Sequence, residues 1–216
     1  MLGGEKVIRE PWRMAVSYLA HHFGREFLRL PLLFVEGLDR SKVDPLLRMR
    51  ERGVNSPLTS SCGRLFDTVA ALIGIRTEVN YEAQAAIELE MAIEDSGDDR
   101  SYPMDLIQQG QTWVIDTKPL FESIVNDLTR NVSAAAISRR SHNGLVTVFA
   151  EIASLVREST SLDRVCLSGG TVPQCIFARS SPERTRKKEF SSVFSQRGSG
   201  GRWRSESRTS AHRPSS

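Results

Sequence analysis

The spacing of apolar residues predicts two helices at the start of the chain. Pro11 begins the first, because proline suits the opening turn of a helix, and apolar side chains then recur every three or four positions to about His22. Gly24 provides its end. The second helix is predicted from Ser41, as the N-cap, to about Glu51. Loop residues are expected between the two.

A polar loop over residues 55–61 leads directly into a third predicted helix. Residues 64–73 place apolar side chains on one face, and Gly74 follows at the position where a left-handed residue commonly closes a helix. A fourth helix, rich in Ala and Glu, is predicted over residues 81–93 and is followed by an acidic loop. This part of the chain is therefore expected to be helical.

Strands and helices alternate in the next part of the chain. Residues 112–116 have the composition of a short strand, and a helix is predicted from about Pro119 to about Leu128. A long helix is predicted over residues 132–156, with Gly144 at the position where a kink is expected. A buried strand over residues 164–168 then ends in two glycines, which is typical of an α/β unit.

The periodic pattern ends after Thr171. The remaining 45 residues include 11 Ser and 8 Arg, and their apolar residues follow no period, so they cannot offset the entropy of ordering. We therefore predict a folded domain over residues 1–171 and a disordered tail over residues 172–216. An abrupt change of this kind is also what an out-of-frame translation of a GC-rich gene would produce.

Charge divides the chain at the same place. The tail carries ten Lys or Arg against three Asp or Glu, a net charge of +7, which leaves −4 on the predicted domain. Such a tail could attract RNA, but aromatic residues are sparse in it, so incidental charge is the preferred interpretation and nucleic-acid binding the alternative.

Cysteine spacing and hydropathy indicate the kind of compartment. Cys62, Cys166 and Cys175 form no CxxC pair, so neither a zinc site nor a disulfide framework is predicted. The uncharged apolar stretch over residues 30–35 is too short to cross a bilayer. A soluble, cytoplasmic protein that does not bind membranes is expected.

Histidines give no sign of a metal site. His21 and His22 end a helix with no carboxylate at metal-ligand spacing, and no metal ligands are predicted. His142 lies beside Arg139 and Arg140 on what the pattern indicates to be a polar side, so a structural or exposed position is expected.

Two small groups of residues could form parts of a ligand-binding site. Gly63 and Asp67 are four residues apart at the start of a helix, so a ligand could meet a bare backbone and a carboxylate on one side, and a carboxylate there can bind the two ribose hydroxyls. Gly169 and Gly170 follow a strand, where backbone N–H groups can approach a phosphate. The alternatives are a solvated helix residue at Asp67 and a tight turn at the glycine pair.

Three stretches of the sequence together resemble one family, the hydrogenase maturation carbamoyltransferase HypF. The resemblance extends over residues 2–171. The stretches are Gly3-Gly4-Glu5 with Arg9-Glu10-Pro11-Trp12-Arg13-Met14-Ala15; Asn55-Ser56-Pro57, Thr59-Ser60-Ser61, Gly63-Arg64-Leu65-Phe66-Asp67, Tyr81-Glu82, Gln84-Ala85-Ala86 and Glu88-Leu89-Glu90; and Val165-Cys166-Leu167-Ser168-Gly169-Gly170.

The resemblance implies a fold and a nucleotide site. HypF shares this domain with the tRNA threonylcarbamoyl transferase TsaD, an actin-like ATPase fold of two lobes with nucleotide between them. This chain is expected to be α/β, a partial domain that supplies most of the mostly helical second lobe. Gly63 and Asp67 match the Gly-x-x-x-Asp adenosine contact of the family, and Ser168, Gly169 and Gly170 match the loop near the phosphates, so ATP is the implied cofactor.

The resemblance also implies a reaction. HypF-type enzymes make carbamoyl-adenylate from carbamoyl phosphate and ATP, and pass the carbamoyl group to the C-terminal cysteine of HypE. The family's histidine motif and its further domains would lie before Met1, and its later Asp-Gly-Gly motif does not follow Gly170, so its metal site is expected to be absent here. A fragment that is inactive alone is expected; the alternative is a non-catalytic helical module that docks on HypE or on a separate N-terminal partner.

Overall fold

A computed structural model describes residues 1–94, 98–110, 112–162, 164–167 and 191–194, with backbone alone for 165–167 and 191–194. These residues form eight α-helices, one 3-10 helix and two small sheets. The helices are α1 (Lys6–Arg9), α2 (Pro11–Phe23), the 3-10 helix (Gly24–Arg29), α3 (Leu33–Glu36), α4 (Arg40–Glu51), α5 (Cys62–Leu72), α6 (Gln84–Met91), α7 (Lys118–Thr129) and α8 (Ala134–Thr160). The strands are β1 (Asp105–Gln109), β2 (Thr112–Asp116), β3 (Arg164–Leu167) and β4 (Ser191–Phe194). The predicted mostly helical α/β architecture is confirmed.

Helix α5 is the centre of the core. Every residue from Gly63 to Leu72 is buried, because α2, α6 and α8 all pack against it. Ser61 caps its first turn, with the hydroxyl accepting a hydrogen bond from the Arg64 N–H at 3.4 Å. Gly74 follows with φ +79°, the left-handed conformation predicted for it. A helix buried on all sides is the rigid element on which a site can be built.

The first two predicted helices are present with small differences. Pro11 opens α2 and Gly24 follows it with φ +62°, as predicted. Helix α4 begins at Arg40, and its cap is Asp39, not Ser41: the Asp39 carboxylate accepts hydrogen bonds from the N–H and hydroxyl of Ser41 at 2.9 and 2.6 Å. A carboxylate reaches the free N–H groups of the first turn as well as a hydroxyl does.

Several short elements were not predicted. Helices α1 and α3 have four residues each, too few to show a helical period, and the 3-10 helix occupies the expected loop. Helix α6 is shorter than predicted, because Ala83 adopts φ +66° immediately before it. Strand β1 is recognisable only through its partner, with Leu106 opposite Ile115 in an antiparallel ladder.

Helix α8 is α-helical throughout, and Gly144 lies where another segment approaches it closely. A Cβ at this position would lie 2.5 Å from the Tyr102 carbonyl oxygen. The Tyr102 N–H in turn donates to the Arg140 carbonyl at 3.1 Å. The glycine is therefore explained by a contact that the local sequence does not reveal.

The side of α8 that carries His142 is buried, which corrects the expectation of a polar side. His142 is 2% exposed and stacks on Phe66, with ring centroids 4.6 Å apart. Its Nδ1 lies 2.8 Å from the Ser138 carbonyl oxygen. Burial lowers the pKa of His142 to about 4, so the ring is neutral at pH 7. The histidine is a core residue.

A buried ion cluster joins α7, α8 and the segment before β1. The Arg140 guanidinium, 7% exposed, donates to Asp98 Oδ2 at 3.0 and 2.9 Å and also to Asp127. The Tyr102 hydroxyl donates to Asp127 Oδ2 at 2.6 Å. Arg100 also donates to Asp98, through Nε and Nη2 at 2.8 Å each, so two cations face the two carboxylates.

Strands β3 and β4 pair in parallel, with Arg164 opposite Ser191. Strand β4 lies within residues 172–216, the predicted tail. Val193 and Phe194 are of types that favour strands, and the backbone groups of β3 provide the pairing partner. No helix within the described residues is long and apolar enough to span a membrane.

Candidate functional site

Gly63 and Asp67 lie one turn apart near the beginning of α5, as the sequence predicted. Both are buried, and the Asp67 side chain is only 4% exposed. Asp67 is therefore not the solvated helix residue of the alternative interpretation. A buried carboxylate destabilises the folded state unless charged or polar groups lie beside it.

Arg64 is the charged partner of Asp67. Arg64 Nη1 lies 2.8 Å from Asp67 Oδ2, but the N–H geometry is not that of a hydrogen bond, and Nη1 is buried without a hydrogen-bond partner among the described residues. The Asp67 carboxylate likewise accepts no hydrogen bond there. The pair neutralises its charge but leaves donor and acceptor capacity unused, which fits a site for a polar ligand.

The environment of Asp67 acts on its protonation. Burial raises the pKa of Asp67 to about 6; the Arg64 guanidinium opposes that rise, and the Glu82 carboxylate adds to it. The carboxyl group is mostly ionised at pH 7 and becomes neutral in mildly acidic solution. Its capacity to accept hydrogen bonds therefore depends on pH close to neutrality.

Glu82 belongs to a turn that α6 holds in place. Gln84 Oε1 accepts a hydrogen bond from the Asn80 N–H at 2.8 Å, and its amide group donates to Glu88 at 2.9 Å. Arg76 also donates to Glu88, at 2.5 Å. These contacts hold the turn that carries Glu82, and its carboxylate is close enough to raise the pKa of Asp67.

The loop of residues 55–61 is mostly exposed and forms the entrance to α5. Thr59 Oγ1 accepts a hydrogen bond from the Ser61 N–H at 3.2 Å, and this turn places Ser61 at the helix cap. Its polar side chains thus lie immediately before Gly63 along the chain.

The other predicted site residues, Ser168, Gly169 and Gly170, lie outside the described residues. Strand β3 ends at Leu167, immediately before them. Sequence reasoning did not assign roles to Arg64 and Glu82. The three-residue spacing of Arg64 and Asp67 on one helix is a signal that could have indicated the ion pair, whereas Glu82 approaches through the tertiary fold.

An open cavity of about 760 Å³ lies at the opposite end of α5. Its wall combines the end of α5 with α3 and the residues that follow α7, and includes Trp12, Leu33, Leu38, Ile73 and Val132. Neither Gly63 nor Asp67 contributes to it. The cavity and the polar pair are therefore two separate features of the domain.

Within the described ranges, no three His, Cys, Asp or Glu side chains come together as a group that could hold a metal ion. We therefore assign no metal ligand among these residues.

Comparison with known proteins identifies the domain. The family model described as "Carbamoyltransferase, Kae1-like Domain, second subdomain" matches residues 1–201. The carbamoyltransferase HypF of Synechocystis sp. is 31% identical over 208 residues, which cover 90% of this chain and 26% of that protein. The carbamoyltransferase HypF of Rhodobacter capsulatus is 31% identical over 171 residues, 79% of this chain and 21% of that protein. The chain thus spans about a quarter of the length of these relatives.

A solved structure has the same fold. The crystal structure of full-length HypF in the phosphate- and nucleotide-bound form matches with a TM-score of 0.78 at 30% identity, over 88% of this chain and 29% of that chain. The resemblance to HypF and the fold class that it implied are both confirmed. The chain belongs to the HypF carbamoyltransferase family, and it corresponds to the second subdomain of that family's Kae1-like domain.

Proposed function

We propose that this chain forms the adenosine-binding part of a HypF-type carbamoyltransferase. In the proposed reaction, carbamoyl phosphate, ATP and water give carbamoyl-adenylate, phosphate and pyrophosphate, and the carbamoyl group then passes to the C-terminal cysteine of a HypE-type protein during [NiFe] hydrogenase maturation. Membership of the family supports the reaction class, and the bound nucleotide in the solved HypF structure supports ATP as the cofactor.

The observation that carries the proposal is the buried polar pair one turn from a glycine. The Asp67 carboxylate would accept hydrogen bonds from the two ribose hydroxyls, and Arg64 Nη1 has a donor that a ribose oxygen could satisfy. Gly63 has no side chain to keep the adenosine away from the backbone. Ser168, Gly169 and Gly170 would provide backbone groups to the phosphates.

These residues bind and orient the adenylate. In the transfer step, the cysteine thiolate forms a bond to the carbamoyl carbon while the bond from that carbon to the AMP phosphate oxygen breaks, and AMP leaves. The residues of this chain would hold the AMP group while it departs. We expect no turnover from the chain alone, because it spans about a quarter of its relatives, and a partial site loses the orientation of the reacting groups.

Binding of ATP to the full chain, measured by isothermal titration calorimetry, tests the assignment. Asp67→Asn should weaken binding by about tenfold or more, since hydrogen bonds to a charged group are worth about 1.5–3 kcal/mol. The matched control is Glu122→Gln, an exposed carboxylate on α7. Equal affinity for wild type and Asp67→Asn would contradict the proposal, as would a wild-type chain that binds no nucleotide.

The pH dependence gives a second test of the same site. Because the pKa of Asp67 is about 6, affinity for ATP should fall as the pH is lowered from 7 to 5, where the carboxyl group takes up a proton. In Asp67→Asn this part of the pH dependence should disappear. A wild-type affinity that does not change in this range, after correction for the titration of the phosphates, would contradict the role of Asp67.

The second candidate function is a non-catalytic module that docks on a HypE-type protein or on a separate N-terminal partner. The open cavity favours it, because Leu33 at its edge is 87% exposed, as expected of a contact residue. Co-purification with HypE, and with the preceding segments of a HypF protein, would test this function. Loss of the complex in Leu33→Asp but not in Asp67→Asn supports docking, and no complex with either protein argues against it.

A further inference from the structure

The loop that leads into α5 is held by the first residues of the chain. The N–H groups of Gly3 and Gly4 both donate to the Asn55 carbonyl oxygen, at 3.0 and 3.2 Å. The amino group of Met1 donates to the Pro57 carbonyl oxygen at 2.7 Å. Among the described residues, these are the hydrogen bonds that join residues 55–60 to a distant part of the chain. We call this arrangement, residues 1–4 with residues 55–57, the N-terminal clasp.

The clasp is anchored in the hydrophobic core. Leu2 is 1% exposed and belongs to the main cluster of buried residues. The loop itself has little anchorage, because Leu58 is 98% exposed and the neighbouring residues are mostly exposed. The hydrogen bonds of the clasp and the buried Leu2 therefore hold the loop in its position.

The backbone of the clasp requires glycine. Gly3 and Gly4 have φ of +89° and +60°, in the left-handed region that side chains disfavour. A Cβ at Gly4 would lie 2.6 Å from Asn55 Oδ1, and a Cβ at Gly3 would lie 2.8 Å from Arg13 Nη1. At Gly4 the backbone conformation thus selects glycine, and any side chain there would also displace the exposed side chain of Asn55.

We propose that Gly3 and Gly4 are positioning residues for the nucleotide site. By holding Asn55 and Pro57, they set the path of the loop to Ser61, which caps α5 one turn before Arg64. This inference rests on the proposed function, in which Gly63, Arg64 and Asp67 receive the adenosine. Neither glycine touches the ligand; each acts through the loop.

Gly4→Val tests the inference, with Gly53→Val as the matched control. Gly53 has φ +65°, close to that of Gly4, but no atom lies within 4 Å of a Cβ placed on it. The control therefore introduces the same backbone strain without the clash. Asn55→Gly retains the carbonyl acceptor, removes the side chain that valine would meet, and suits the φ of +44° at that position.

Each variant is made in the full chain and examined by two measurements: hydrogen exchange of peptides that cover residues 54–61, and affinity for ATP. Gly4→Val should speed exchange in this loop and weaken ATP binding by about tenfold, the equivalent of one or two hydrogen bonds, while exchange in α2 and α8 stays as in wild type. Gly53→Val should leave both loop exchange and affinity near wild type. Gly4→Val with Asn55→Gly should recover part of both, since it removes the side-chain contact but leaves the backbone strain at position 4.

Several results would overturn the inference. They are unchanged loop exchange in Gly4→Val, an equal effect of Gly53→Val, no recovery in the double variant, or a loosened loop with unchanged ATP affinity. Faster exchange in α2 and α8 as well would also count against it, since the glycine would then serve the whole fold. If the wild-type chain binds no ATP, the proposed function fails and the positioning role at the site fails with it; loop exchange alone then decides whether the clasp holds the loop.

Discussion

Replacing Gly144 by alanine tests the packing of α8 directly. In an open helix this change stabilises a protein by about 1 kcal/mol, because glycine has the larger conformational entropy in the unfolded chain. Here the added Cβ would lie 2.5 Å from the Tyr102 carbonyl oxygen. We expect the contact to outweigh the gain in helix propensity and to make Gly144→Ala destabilising.

The loss of stability caused by Gly144→Ala depends on how firmly the Tyr102 carbonyl group is held. Ordinary contact begins near 3.4 Å, so the carbonyl group must move by about 0.9 Å. Its N–H is bonded to the Arg140 carbonyl at 3.1 Å and its hydroxyl to Asp127 at 2.6 Å, so a shift strains both hydrogen bonds. Overpacking costs about 1–3 kcal/mol, and a carbonyl held by two hydrogen bonds places this site at the upper end, which leaves a net loss of about 2 kcal/mol after the helix gain.

Urea unfolding at pH 7, followed by circular dichroism, measures this loss as a change in the free energy of unfolding. Thr147→Ala is the control, an exposed position one turn along the same helix, where alanine should stabilise by a few tenths of a kcal/mol. If Gly144→Ala proved as stable as that control, the close approach of Tyr102 to α8 would be refuted.

Two further predictions concern buried ionisable groups. Arg140→Leu should cost about 3 kcal/mol of unfolding free energy, because Asp127, with a side chain only 14% exposed, loses its cation while Asp98 keeps Arg100. Arg25→Leu should cost less than about 1 kcal/mol, since its ion pair with Glu51 is exposed; equal losses would contradict the account. His142, with a pKa of about 4 against about 6.5 when unfolded, should favour unfolding as the pH falls from 6.5 to 4. NMR titration of the ring checks this, and a midpoint near 6.5 would contradict its burial.

Much of the site could be predicted from local spacing. Residues four apart share one side of a helix, so Gly63 and Asp67 come together wherever α5 forms. The charge state of Asp67 could not be predicted in this way. It depends on packing by α2, α6 and α8, which removes water from the carboxylate, and on the approach of Glu82 from a separate turn.

The long helices follow from the sequence alone, because apolar residues three or four apart make a buried face in any compact fold. The family could also be recognised from the sequence alone, through its motifs. Tertiary structure decided the burial of His142, the need for glycine at Gly144, and the pairing of β1 with β2. It also joined Gly3 and Gly4 to Asn55. Each of these contacts is made between residues that are distant in sequence or depends on the packing of separate helices, and no local period records which segments will meet.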